Sequence, residues 1–125
     1  MIDIAEPRVV RKPWGHELWL ARTDRYVGKL IHIAAGQALS RQYHEVKDET
    51  LFVQAGRLLL EIGPADAAER IEVPAGRGFR IVPGTIHRFS APDDGDVDLV
   101  EMSTPELEDV VRLEDRYGRE GTNTY

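Results

Sequence analysis

Apolar and polar positions alternate in short runs along most of the chain, and clusters of Gly, Pro and Asp separate the runs. Tyr26 to Ile33 has strand propensity throughout, with Lys29, Ile31 and Ile33 on one face and Leu30 and His32 on the other. The aromatic-rich Trp14 to Leu20 also reads as a strand, and Thr23-Asp24-Arg25 as the turn after it. Residues 1–13, interrupted by Pro7 and Pro13, are expected to form an arm or an edge strand. Arg57 to Ile62 and Arg70 to Val73 flank the polar stretch Gly63 to Glu69 and predict a hairpin. Pro74 to Gly78 turns into Phe79 to Val82, and Val97 to Met102 is the last long strand. Short strands between turn signals, with no intervening helical period, predict an all-β sandwich or barrel over about 11–104.

Only the end departs from this period. Thr104-Pro105 supplies an N-cap and first-turn pair, acidic Glu106, Glu108 and Asp109 follow, and Leu107, Val110 and Val111 are spaced for one helical face. One short helix is therefore predicted within 105–125, with a polar tail whose last six residues read as disordered.

The candidate chemistry sits between two turn glycines, Gly36 and Gly56. Gln42 and His44 are two apart on a β-like run, so their side chains leave one face about 6.6 Å apart and both can reach one ion. Glu45 to Asp48 is long enough for a tight loop that returns Leu51-Phe52-Val53 as a partner strand and brings Glu49 back toward His44. Pro83-Gly84-Thr85-Ile86-His87 supplies a turn and a fourth donor. One amide oxygen, two imidazoles and one carboxylate suit a single divalent ion, Zn²⁺ or one of Fe²⁺, Mn²⁺, Co²⁺ and Ni²⁺. His16 and His32 stand in neither motif and are left out of the site. Trp14 and Trp19 read as core or dimer-contact residues.

Gly-x5-Gln-x-His-x4-Glu-x6-Gly followed by Pro-Gly-x-x-His resembles the two cupin motifs, with Gln42 in place of the usual first histidine and Ala91 where the second motif usually ends in asparagine. Leu39-Ser40-Arg41-Gln42, Lys12-Pro-Trp-Gly-His-Glu17 and the closing Tyr117-Gly-Arg119 resemble the cupin domain of type II mannose-6-phosphate isomerases, which elsewhere follows a GDP-mannose pyrophosphorylase domain. The resemblance implies one cupin domain over 1–125, a double-stranded β-helix or jelly-roll barrel. It also implies metal-dependent aldose–ketose isomerisation of a sugar phosphate. Lys29 and Glu101 match residues of the family's strands and become candidates for moving the proton. Arg119 matches the arginine that supplies positive charge to the sugar phosphate. The family's histidine-rich run after the second ligand is Glu45 to Leu51 here, so a different sugar is open. A cupin oxygenase using Fe²⁺ and a non-catalytic sugar-binding cupin are the rival readings.

Charge sharpens this picture. The net charge is −6 with no basic stripe, which argues against nucleic-acid or anionic-membrane partners. A phosphorylated substrate then needs a local convergence of cations, and Arg88 and Arg116 are further candidates for binding it. Cysteine is absent, no run approaches the roughly 20 apolar residues of a membrane span, and the N-terminus has no signal-like segment, so a cytoplasmic site is expected. An apolar sheet face on so small a barrel leads to the expectation of a homodimer.

Overall fold

The computed structural model describes residues 2–123, which form eleven strands. They are β1 (Arg8–Lys12), β2 (Gly15–Arg22), β3 (Val27–Ile33), β4 (Arg41–Tyr43), β5 (Glu49–Ala55), β6 (Arg57–Ile62), β7 (Glu69–Pro74), β8 (Gly78–Ile81), β9 (His87–Ser90), β10 (Val97–Ser103) and β11 (Val111–Glu114). One sheet has the order β1-β2-β3-β10-β5-β8 and the other β11-β4-β9-β6-β7. All named pairings are antiparallel. The all-β expectation holds, as does the hairpin of β6 and β7 across Gly63 to Ala68.

The two-residue period decides what enters the barrel. From the larger sheet Ile31, Ile33, Leu51, Val53, Ile81, Val97 and Leu99 meet Leu58, Leu60, Val73 and Phe89 of the smaller one in a single apolar cluster. The same inward rows change character toward one end. There Lys29 pairs in register with Glu101, and Glu49 with Ser103, and all four are buried. The barrel is thus apolar at one end of its interior and ionic at the other.

Two local expectations are corrected. β4 and β5 are not a hairpin: β4 pairs with β9 and β11, β5 with β8 and β10, and the loop between them crosses from one sheet to the other. Glu49 still arrives beside His44, across the barrel interior instead of along a shared ladder. Gly56 makes a similar crossing between β5 and β6. It has φ 81°, and a Cβ there would lie 2.2 Å from the Asp96 carbonyl oxygen.

No helix exists among the described residues. Tertiary contacts override the helical pattern of residues 104–110. Thr104 bonds the backbone of Asp48 through both its amide and its hydroxyl, and Leu107 packs against Trp19 and Val27. Asp109 spends its carboxylate on three N–H groups of the β4–β5 loop, and Val111 and Arg112 then pair with β4 as β11. The tail expected to be disordered is held as far as Thr122, where Gly121 N–H donates to the Arg112 carbonyl and the Arg112 guanidinium donates to Thr122. Residues 124 and 125 of that tail lie outside the described residues.

Trp14 and Trp19 are buried within the chain, which removes them as dimer contacts. The outward row that crosses the larger sheet is instead Val9, Leu18, Leu30, Val100 and Phe52, in register from β1 to β5. His16 and His32 stack on the same outward face at 5.0 Å, with His32 between Asp96 and Asp98 and away from the barrel interior.

Candidate metal centre

Strand pairing builds the site from both sheets. Gln42 and His87 are register partners on β4 and β9, His44 lies just past β4, and Glu49 opens β5. His44 Nε2 is 3.6 Å and His87 Nε2 is 3.4 Å from Glu49 Oε1. Each imidazole turns its Nδ1 toward a backbone carbonyl, His44 to Asp109 at 2.6 Å and His87 to Thr85 at 2.9 Å. A carbonyl only accepts, so both Nδ1 atoms carry the hydrogen, and in the neutral imidazole each Nε2 then presents its lone pair.

Three buried acceptors therefore converge with no hydrogen-bond donor between them: His44 Nε2, His87 Nε2 and Glu49 Oε1 are all without a hydrogen-bond partner. An unsatisfied buried acceptor is costly, and three facing one point are satisfied together by a cation. The trio fits one borderline divalent ion, with two imidazoles and one carboxylate. Gln42, expected as a fourth ligand, lines the same cleft and its Oε1 accepts the Ser40 hydroxyl at 2.8 Å.

Behind the trio lies a ladder of alternating charge. The Lys47 ammonium is 3.0 Å from Glu49 Oε2 and 3.2 Å from Glu101 Oε2. Glu101 also accepts the Ser103 hydroxyl at 2.9 Å and lies 3.8 Å from Lys29, which donates to Glu17 at 3.0 Å. Burial is the largest influence on Glu49 and works against its ionisation, but Lys47 and the two imidazoles together outweigh it and hold the carboxyl well below the usual range. Glu17 follows the same logic, with Lys29 and Lys12 opposing its burial.

The cleft of about 540 Å³, counting its open mouth, draws its lining from the C-terminal segment as well as the barrel. Five cationic side chains, Lys12, Lys29, Lys47, Arg112 and Arg119, share it with only Glu17, Glu49 and Glu101 as carboxylates. A positive cleft thus opens in an acidic protein. Burial, opposed by Glu17 and aided by Lys29, Arg112 and Arg119, brings the Lys12 ammonium down to about 8. Arg119 is oriented by a two-pronged pair with Asp115 at 2.9 and 3.0 Å.

Of the residues anticipated from sequence, Lys29, Gln42, His44, Glu49, Glu101 and Arg119 line this cleft, and His87 contributes its Nε2 to the trio. Arg88 and Arg116 are not brought to it. Arg88 faces away from its inward neighbours His87 and Phe89, donating to the Leu39 carbonyl and to Glu114, and Arg116 donates to the Gly36 carbonyl on another surface. Lys12 and Arg112 were among the cations the sequence offers but were not assigned to the site, and Lys47 and Asp109 were missed. Lys12 stood in a quoted motif, whereas a lysine in a polar four-residue loop reads as solvated and gives no local sign of burial.

Residues 29–103 match the Cupin_2 family, described as a cupin domain. The chain belongs to the cupin family. Among characterised relatives, this cupin is 34% identical over 115 residues to mannose-1-phosphate guanylyltransferase ManC of Salmonella typhimurium, covering 90% of this chain and 23% of that protein. It is 30% identical to xanthan biosynthesis protein XanB of Xanthomonas campestris, covering 90% and 24%. The chain thus spans about a quarter of the length of these relatives. In fold, this cupin is similar to capsular polysaccharide assembling protein CapF of Staphylococcus aureus, with TM-score 0.71 and 20% identity over 86% of this chain and 34% of that one. It is also similar to KdgF of Halomonas sp., with TM-score 0.67 and 18% identity over 79% and 86%. These matches bear out the cupin reading and its link to the guanylyltransferase chains of mannose metabolism.

Proposed function

We propose that this cupin is a metal-dependent aldose–ketose isomerase acting on a sugar phosphate, with mannose 6-phosphate the first substrate to try. The observation that carries the reading is the meeting, in one cleft, of a three-acceptor metal trio with five cationic side chains. The relatives named for mannose 1-phosphate and xanthan chemistry support a carbohydrate substrate. His44, Glu49 and His87 would hold the ion, with Gln42 beside them.

A bound divalent ion would polarise the sugar carbonyl and stabilise negative charge developing on its oxygen. The remaining work belongs to the chain's own groups. One proton passes from C2 of the aldose to C1 and another from the O2 hydroxyl to O1 as the carbonyl moves to C2, so for the carbon-bound proton one group must take it and give it back. Glu101 is the candidate: it is inward-facing, held at Oε2 by Lys47 and Ser103, and part of the cleft wall. Lys29, fixed by Glu17, places positive charge beside it. Arg119, with Lys12 and Arg112, would bind the dianionic phosphate, for which guanidinium groups are well shaped.

The test is conversion of mannose 6-phosphate to fructose 6-phosphate by the metal-loaded protein, with chelation abolishing the activity and added metal restoring it. Arg119→Ala should lower kcat/KM for the phosphorylated sugar far more than for the free sugar. Absence of turnover on all common aldose phosphates would refute the isomerase. Sugar-phosphate binding without turnover would then identify a binding domain, and metal-dependent oxygen uptake an oxygenase.

A further inference from the structure

Lys47 belongs to a short polar loop yet its side chain is only 6% exposed. Its backbone is fixed by Asp109, and its ammonium is inserted between Glu49 and Glu101 on the far side of Glu49 from the histidines. Glu49 is thereby divided. Its Oε1 faces the two Nε2 atoms, and its Oε2 is taken by the lysine. A buried ammonium is tolerated only when paired, and here it has two carboxylate partners, Glu49 Oε2 at 3.0 Å and Glu101 Oε2 at 3.2 Å.

We infer that Lys47 is a built-in cation that tunes the metal centre, restricting Glu49 to one ligand oxygen and offsetting its charge so that the ion is held loosely. The inference rests on His44, Glu49 and His87 being the metal ligands, and extends that reading to how strongly they bind. Two consequences follow from like-charge repulsion. A cation one carboxylate removed from the ion opposes its binding, so the affinity is lower than the same three ligands would otherwise give. Because Glu49 shares its charge with Lys47, the ion also keeps more of its own charge for a substrate oxygen. Glu101 sits on the opposite side of the balance, since it draws Lys47 away from Glu49.

Neutralising these two neighbours should therefore move metal affinity in opposite directions, a pattern that a merely structural role does not produce. Zn²⁺ and Co²⁺ affinities are measured by competition with a chromophoric chelator for wild type, Lys47→Met and Glu101→Gln, with thermal melts to establish folding. Lys47→Met should bind metal at least about tenfold more tightly. Its Co²⁺ absorption bands should weaken as Glu49 gains a second ligand oxygen. Glu101→Gln should bind metal more weakly than wild type. If Lys47→Met fails to fold without its lysine, Glu101→Gln decides alone: weaker binding supports the inference, and equal or tighter binding overturns it. Weaker or unchanged binding by a folded Lys47→Met also overturns it. A wild-type protein that binds neither metal instead refutes the ligand assignment, and the tuning role falls with it.

Discussion

Asp109→Ala tests whether the C-terminal segment positions the metal site from outside it. The carboxylate of Asp109 accepts the backbone N–H groups of Glu45, Val46 and Lys47 at 3.0, 2.7 and 2.8 Å, and its own carbonyl accepts His44 Nδ1 at 2.6 Å. Alanine keeps the carbonyl and removes the three bonds that hold the loop between His44 and Glu49. Each such bond contributes about 1 kcal/mol net where the freed N–H can find water, so the loop loses about 2–3 kcal/mol of ordering. Loss of outer-shell partners of this kind weakens metal binding by about 10- to 100-fold, which agrees with that energy at 1.4 kcal/mol per factor of ten. Asp109→Asn keeps one acceptor oxygen and should fall between wild type and alanine. The assay is Zn²⁺ competition with a chelator, alongside circular dichroism and a thermal melt to show that the barrel persists. A folded Asp109→Ala protein whose metal affinity lies within twofold of wild type would show that the loop is held by other means.

Three further outcomes are expected. The Glu17 carboxyl is held below its usual value of 4.5 in the folded protein, so its ion pair contributes stability that is present above about pH 4.5 and lost as pH falls further; melting temperature should drop there, and Glu17→Gln should flatten the drop. Lys12 carries its charge below about pH 8 and loses it above, so KM for a phosphorylated sugar should rise through that pH and Lys12→Met should remove the dependence. A second copy of the chain is proposed to cover the outward row Val9, Leu18, Leu30, Val100 and Phe52. The six strands of the larger sheet leave five gaps of about 4.8 Å, so it is about 24 Å across, and the apolar row crosses five of the strands. Sedimentation should give a dimer that Leu30→Lys converts to monomer, and a wild-type monomer at micromolar concentration would refute the proposal.

Much of this protein was legible along the chain because β-structure writes a period-two pattern that does not depend on distant residues. Lys29, Ile31 and Ile33 shared a face in the sequence and share the barrel interior in the fold. The meeting of His44, Glu49 and His87 was legible as well, because turn glycines and short offsets fix where they fall along the chain. Sheet membership was not. Whether a four-residue loop closes a hairpin or crosses between sheets depends on the distant strands that β4 and β5 pair with, and Asp109, more than sixty residues away, then holds the crossing loop by its backbone. The same long-range contacts turned the helical spacing of residues 104–110 into a strap ending in β11, because local propensity differs by less than a few buried contacts are worth. The electrostatics of the cleft were equally non-local. Lys12, Lys47, Arg112 and Arg119 are scattered through a sequence of net charge −6, and only the closure of two sheets and the docking of the C-terminal segment bring them within one another's field. Sequence alone determined which atoms could bind a metal; the tertiary structure decided which charges surround them, because charges separated along the chain interact only once folding removes the water between them.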